Sequence, residues 1–124
     1  MVGVPQTTRR DPRAWRPTGD QILLLRSALF EEDAAREAWA RWRAANTPES
    51  ADPGSARLFP LAYRNLVSAG IPEPDLAQLR SAYRAAWFRN QLLLKRAAEA
   101  LQALNEAGIP TLVLKGVALA VAHY

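Results

Sequence analysis

Apolar residues along this chain follow the spacing of amphipathic helices. Ile22, Leu25 and Leu29 share a helical spacing, and Thr18 with Gln21 has the pattern of a capping box, so a first helix is predicted over about 19–30. The acidic run at 31–33 suits the positive end of a helix dipole and predicts the start of a second helix. The apolar stripe of this second helix is formed by Ala35, Ala38, Trp39, Trp42 and Ala45.

A loop with Pro and Gly at 46–55 separates these helices from two more. The third helix is predicted over about 57–69, with Pro60 in its first turn, where N–H groups have no intrahelical partner. The fourth is predicted over 75–107, starting with a capping-box pattern of Asp75 and Gln78, and its length of roughly 48 Å allows a bend near Asn90. Its stripe comprises Leu79, Tyr83, Ala86, Asn90, Leu94, Ala97, Leu101 and Leu104. Asn90 is the polar residue of this stripe, and we expect it to form an interhelical hydrogen bond.

The tetrapeptide Ala-Gly-Ile-Pro occurs at 69–72 and again at 107–110, where the third and fourth helices are predicted to end. Gly can take the left-handed conformation after a helix cap, and Pro prevents continuation. The apolar residues 111–114 then predict a strand, Lys115 and Gly116 a tight turn, and the residues from Val117 onward another helix. A lone strand leaves its backbone groups unpaired, so we expect its partners elsewhere and the chain to be the front part of a larger protein.

The pattern divides the chain into three segments. Residues 1–17 form a flexible basic tail with four arginines against Asp11, residues 18–107 a helical region, and residues 108–124 the strand, the turn and the start of the next helix. The predicted fold is mainly α, with about four helices leading into the first strand of an α+β domain that is cut off.

Composition excludes several kinds of chemistry. The 124 residues, 49 % hydrophobic and 23 % charged, are typical of one globular domain. Without Cys and with a single His, the chain has no disulfide, thiolate site or imidazole cluster. No apolar run reaches the roughly 20 residues of a membrane span, and the N-terminus lacks a signal-peptide pattern, so we predict a cytoplasmic protein without membrane contact.

The fourth predicted helix carries the most basic part of the chain. Five cations lie off its stripe, with no acid between residues 76 and 98: Arg80, Arg84, Arg89, Lys95 and Arg96. A solvated helix face accounts for such a cluster, and so does a surface that binds nucleic acid or polyphosphate.

Three stretches together resemble a known family. They are Leu-Phe-Pro-Leu-Ala-Tyr-Arg-Asn-Leu at 58–66, then Asn90 and Leu94, and then Ala-Gly-Ile-Pro-Thr-Leu-Val-Leu-Lys-Gly-Val-Ala-Leu-Ala at 107–120. Their order and spacing resemble the uncharacterised bacterial nucleotidyltransferase family, a distant branch of the polymerase-beta-type nucleotidyltransferases. The resemblance covers roughly residues 20–124.

This resemblance implies a phosphate-binding role for the Lys-Gly corner. Lys115 would contact the nucleotide phosphates and Gly116 would let the backbone approach them; the alternative for Lys115 is a strand-end side chain that reaches solvent. In the family a second strand carries an Asp-x-Asp motif that holds Mg²⁺ against the triphosphate. No Asp or Glu follows Glu106 here, so no catalytic or metal-binding residue is assigned. Mg²⁺ and a nucleoside triphosphate are implied by the resemblance alone, and we expect neither to bind tightly to this chain by itself.

Two hypotheses arise from the sequence. The chain is either the N-terminal part of a nucleotidyltransferase-like protein, inactive alone, or a separate helical interaction module. In the first case its partner is the remainder of the nucleotidyltransferase domain, or another copy through the strand at 111–114. In the second, the basic helix and the strand edge bind a protein or nucleic acid.

Overall fold

A computed structural model describes residues 15–118, and this part of the chain is mainly helical. The α-helices are α1 (Gly19–Leu29), α2 (Glu32–Ala45), α3 (Pro53–Ala56), α4 (Phe59–Ser68) and α5 (Ala77–Glu106). Two 3-10 helices, Pro48–Ser50 and Glu73–Leu76, precede α3 and α5. Most of the predicted basic tail, and the helix predicted from Val117 beyond Ala118, lie outside the described residues.

The core lies where α1, α2 and α4 pack together and the first turns of α5 join them. Its larger apolar members are Leu24, Trp39, Trp42, Phe59, Leu66, Leu76 and Leu79. Trp39 and Trp42 are stacked with ring centroids 5.3 Å apart, and Phe59 meets Trp42 edge-on at 6.3 Å. These offset and edge-to-face arrangements are the favourable ones for aromatic pairs. The stripe predicted for α2 is thereby confirmed as core, except that Ala45 is exposed.

The ends of the helices follow the predicted local rules. Thr18 Oγ1 accepts from the backbone N–H of Gln21 at 3.2 Å, and the Gln21 side chain accepts from the backbone N–H of Thr18 at 2.9 Å, so the capping box of α1 is confirmed. Both Ala-Gly-Ile-Pro copies form Schellman endings, with Gly70 at φ +83° and Gly108 at φ +70°. In each, the Ile N–H donates to a carbonyl of the last helical turn, from Ile71 to Leu66 and from Ile109 to Leu104.

Two side chains connect helices that are distant in sequence, through hydrogen bonds to backbone carbonyls. Arg36 donates from Nη1 to the carbonyl of Ala69 at 2.6 Å, which connects α2 to the end of α4. Asn65 donates from Nδ2 to the carbonyls of Ser27 at 2.9 Å and Phe30 at 2.7 Å, which connects α4 to the end of α1. Each bond satisfies a carbonyl at a helix terminus, where the carbonyls have no N–H partner within their own helix.

The predicted start of the long helix is wrong. Asp75 lies inside the 3-10 helix Glu73–Leu76, so it cannot act as an extended N-cap, and α5 begins at Ala77 without a side-chain cap. Gln78 instead hydrogen-bonds to Glu49 of the first 3-10 helix. The predicted loop at 46–55 likewise contains a 3-10 helix and the start of α3, which Asp52 caps.

The strand predicted at 111–114 is not found. These four residues have neither helical nor strand structure, and residues 15–118 contain no strand with which they could pair. A strand is held by its ladder hydrogen bonds, so an apolar run without a partner stays irregular. None of the helices within 15–118 combines the length and the apolar character needed to cross a membrane.

Candidate functional site

The Lys-Gly corner lies between an irregular segment and the start of a helical turn. After the Schellman ending of α5, residues 109–114 run without regular structure, Lys115 forms a turn, and residues 116–118 are helical. Lys115 has φ +59°, in the left-handed region that residues with a side chain seldom adopt. The turn and the following helical residues therefore occur where the sequence predicted them, although the strand before them does not.

Gly116 is not the residue with the unusual backbone. Positive φ at this corner belongs to Lys115, and the glycines with positive φ between residues 15 and 118 are Gly70 and Gly108. A Cβ placed on Gly116 would meet nothing within 4 Å. Packing within the described chain therefore gives no reason for a glycine at this position.

The surroundings of the corner are exposed and apolar. Leu112 has 82 % and Leu114 has 69 % of its surface accessible, whereas Val113 and Val117 are half-buried. Lys115 is exposed and forms no ion pair within residues 15–118. A cation with free N–H groups beside it can bind an anion, provided that the anion reaches this corner.

The described residues do not provide a metal site. No three His, Cys, Asp or Glu side chains between residues 15 and 118 come together as potential metal ligands. The acids nearest to the corner in sequence are already engaged on the helix surface. Glu99 faces Lys95 at 4.0 Å, and Glu106 accepts a hydrogen bond from Gln102 at 2.9 Å.

The five cations of the basic helix lie on α5 in two different situations. Arg80 pairs with Glu73 at 3.2 Å, and Lys95 lies 4.0 Å from Glu99. Arg84, Arg89 and Arg96 are exposed and have no acidic partner among the described residues. The structure therefore leaves three guanidinium groups of α5 without a counter-charge from residues 15–118.

The apolar stripe of α5 is buried at its beginning and half-buried or exposed farther along, and large apolar residues beside the stripe are exposed. Leu79 is fully buried and Tyr83 packs against Tyr63 of α4, with ring centroids 5.2 Å apart. Beyond them, Trp87 is 55 % exposed and Leu93 is 60 % exposed. Trp87 and Tyr83 line an open groove of about 290 Å³ between α4 and α5.

Asn90 lies at this groove and is exposed, so its prediction as a buried interhelical hydrogen-bonding residue is wrong. Asn90 lies where the groove beside the first turns of α4 is open, so no other element within residues 15–118 covers its amide. α4 has 10 residues and α5 has 30, so α4 is roughly a third as long as its neighbour. α5 continues without interruption through Asn90, and no bend is required there.

Sequence reasoning missed the side chains that hold α4 in place, and it missed Phe88. Periodicity places Asn65 on the apolar face of its helix, yet its amide binds two backbone carbonyls of another element. Phe88 is off the stripe of α5 and 65 % exposed. The sequence did contain a signal for Phe88: it is an aromatic residue outside the apolar stripe of an amphipathic helix, a position where burial in the core does not explain an aromatic side chain.

The helical region ends in a Schellman motif and leads into the exposed Lys-Gly corner, without the strand that the resemblance implies before that corner. A family model described as "Uncharacterised nucleotidyltransferase" matches residues 55–124, more than half of the chain. The protein belongs to this uncharacterised nucleotidyltransferase family. The matched residues include α4, α5 and the Lys-Gly corner. Neither a curated protein nor a solved structure gives a match to the chain.

Proposed function

We propose that this chain supplies the helical region and the phosphate-binding corner of a polymerase-beta-type nucleotidyltransferase, which transfers a nucleoside monophosphate from a nucleoside triphosphate to an acceptor. The observation that carries the proposal is the family match across Lys115 and Gly116. The left-handed backbone of Lys115, directly before a helical turn, supports it, because strained residues concentrate at ligand sites.

The two corner residues have distinct roles in this proposal. The Lys115 ammonium contacts a phosphate oxygen of the nucleotide, and the backbone N–H groups that follow it add hydrogen bonds to the same anion. Gly116 leaves room for that approach, consistent with the empty space around its Cβ position. Together they bind and orient the triphosphate.

Mg²⁺, which this chemistry uses to neutralise charge on the triphosphate, does not fit the residues described. No set of carboxylates between residues 15 and 118 converges on a possible ion site, and the sequence has no Asp or Glu after Glu106. One Lys cannot replace two carboxylates and a metal ion in nucleotidyl transfer. We therefore propose that the chain by itself binds phosphate weakly and does not catalyse transfer.

The remainder of the nucleotidyltransferase domain is the proposed partner of the uncovered part of α5. Trp87 and Leu93 expose large apolar surfaces on a helix whose first turns are packed in the core, and Leu112 and Leu114 do the same beside the corner. Large apolar side chains exposed in this way are candidates for an interface.

Phosphate binding can be tested residue by residue with NMR. Titration of the ¹⁵N-labelled chain with a nucleoside triphosphate is expected to shift the amide signals of Lys115 and Gly116 most. Lys115→Ala should weaken this binding by about 1.5–3 kcal/mol, the value of a hydrogen bond to a charged group. Gly116→Ala should weaken it as well, without lowering stability, because its added methyl group meets no atom within 4 Å.

Arg80→Ala is the matched control, since it removes one positive charge from α5 and leaves the corner intact. Equal weakening by Arg80→Ala and Lys115→Ala would mean that the attraction is general electrostatics and would remove the corner from the proposal. Catalysis is tested separately with labelled nucleoside triphosphates and Mg²⁺, where no transfer above background is expected. Transfer that persists through purification and disappears in Lys115→Ala would contradict the proposed inactivity.

A second candidate function, a separate helical interaction module, is favoured by the same exposed residues of α5. The two functions differ in how the isolated chain behaves. A module complete in itself would be monomeric and would protect the amides of residues 90–106 as strongly as those of α4. A chain that lacks its domain partner would show rapid hydrogen exchange over 90–106.

A further inference from the structure

The outer side of α5 presents an exposed aromatic ring in the middle of the basic residues. Phe88 is 65 % exposed and Leu92 is 40 % exposed. Phe88 follows the buried Leu79 by nine residues, about two and a half helical turns, so it points away from α4. Arg84, Phe88 and Leu92 are spaced by four residues and form one row along this side.

Cations lie at both ends of this row and along one side of it. Arg84 begins the row one turn before Phe88, and Lys95 follows Phe88 by two turns. Arg89 and Arg96 lie along the adjacent row. Arg84, Arg89 and Arg96 have no acidic partner between residues 15 and 118. The row of Phe88 and Leu92, together with these four cations, forms the outer face of α5.

We propose that the outer face of α5 binds single-stranded nucleic acid. Phe88 offers an unobstructed ring on which a base can stack, and the cations around it can contact successive phosphates. From Arg84 to Arg96 the helix rises about 18 Å, which is long enough for several phosphates of one strand to lie along it. Neither folding nor the proposed phosphate corner requires an exposed Phe at this position.

The positive charge of the outer face and the exposed Phe88 ring together favour single-stranded nucleic acid over other partners. A solvated basic helix needs no aromatic residue among its cations, and a duplex keeps its bases stacked on one another, away from a protein ring. An acidic protein would satisfy the cations and leave the ring without a specific role. The inference is independent of nucleotidyl transfer, because it concerns binding by residues 84–96 in the absence of nucleotide.

The test is fluorescence anisotropy of the full chain with labelled homopolymers of about 15 nucleotides, near the upper site size of known single-strand binders. Binding is measured between about 50 and 200 mM salt, and four phosphate contacts predict a log–log slope of about −3. Phe88→Ala should weaken binding by about 5- to 150-fold, the range for one stacked base, and Phe88→Trp should retain it. Uridine and thymidine homopolymers distinguish RNA from DNA as the source of the strand.

Arg89→Ala/Arg96→Ala is the charge variant. It should weaken binding by about 20-fold near 0.1 M salt and reduce the slope by about 1.4, because each lost contact removes ~0.7 from it. Arg41→Ala/Arg57→Ala is the matched control, since both side chains are exposed and unpaired among the described residues and lie off α5. The helical circular dichroism of all variants should be unchanged.

Three results would overturn the proposal. Equal loss in the control variant would show that only the net charge matters. Unchanged affinity in Phe88→Ala would exclude stacking at this position. Binding of a duplex as tightly as of a single strand, or full competition by polyglutamate, would identify a general anion-binding surface. A failed phosphate titration at Lys115 would leave this measurement unaffected, so the two proposals can fail separately.

Discussion

Asn65 is predicted to fix the position of α1 on α4, and its replacement should destabilise the helical region measurably. Its amide donates to Ser27 O at 2.9 Å and to Phe30 O at 2.7 Å, both at the end of α1. Ser27 is fully buried, so Asn65→Ala leaves its carbonyl without that partner. A buried unsatisfied acceptor costs about 1–3 kcal/mol, and the more exposed bond to Phe30 adds less, so a loss of about 2 kcal/mol is expected.

Urea denaturation followed by circular dichroism measures this loss. With m of about 1–2 kcal/mol per M for a small domain, the midpoint should fall by about 1–2 M. Asn65→Asp should be worse than Asn65→Ala at neutral pH, because a carboxylate cannot donate and would face two carbonyl oxygens. Asn105→Ala is the control, since this exposed Asn of α5 has no side-chain hydrogen bond within the described residues.

The reasoning would be refuted if Asn65→Ala lowered stability no more than Asn105→Ala, or if Asn65→Asp matched the wild-type chain. The first result would mean that water replaces the amide at no cost. The second would mean that the side chain does not face the two carbonyls.

Three further predictions use other parts of the structure. Trp42→Ala should cost about 3–5 kcal/mol in a urea melt, because Trp42 is 2 % exposed, whereas Trp87→Ala at a 55 % exposed position should cost less than about 1 kcal/mol. The side-chain and backbone hydrogen bonds from Ser55 hold the pKa of Asp52 below the ordinary 3.8, so an NMR titration of Asp52 should give a midpoint under that value. Because the pKa is lower in the folded chain, ionised Asp52 stabilises the fold above about pH 4, and this stabilisation is lost as the pH falls through the folded pKa. Because Leu112 and Leu114 are exposed, the isolated chain should self-associate through residues 111–114, and Leu112→Lys/Leu114→Lys should restore a monomer in sedimentation velocity, whereas a monomeric wild-type chain would contradict this.

Local sequence patterns made the helices predictable, whereas contacts between residues far apart in sequence could not be predicted. The stripe of α2 and the two Ala-Gly-Ile-Pro endings depend on residues within a few positions of each other, so their outcome could be predicted from periodicity and turn chemistry. The amide of Asn65 reaches Ser27, 38 residues away, and Arg36 reaches Ala69, 33 residues away. No local pattern contains such pairs.

The candidate site shows the same division. The Lys-Gly turn was predictable from its residues, but the strand before it depends on a ladder partner that residues 15–118 do not contain. Periodicity placed Asn90 on the stripe of α5 and could not indicate that it would line an open groove beside α4. The local sequence also favoured a helix N-cap at Asp75. In the structure Asp75 lies inside a 3-10 helix instead, with Pro72 at its N-cap and Pro74 in its first turn.

The unequal lengths of α4 and α5 imply that the long helix has two halves of different cooperativity. Leu79 is the residue of α5 that is buried, so opening its first turns requires breaking the core, whereas the last turns can fray without disturbing α1, α2 or α4. A helical segment of about 15 residues without tertiary packing is only marginally stable in water. Any molecule that settles on this distal half therefore also shifts its helix–coil equilibrium, and its apparent affinity includes the free energy of completing the helix.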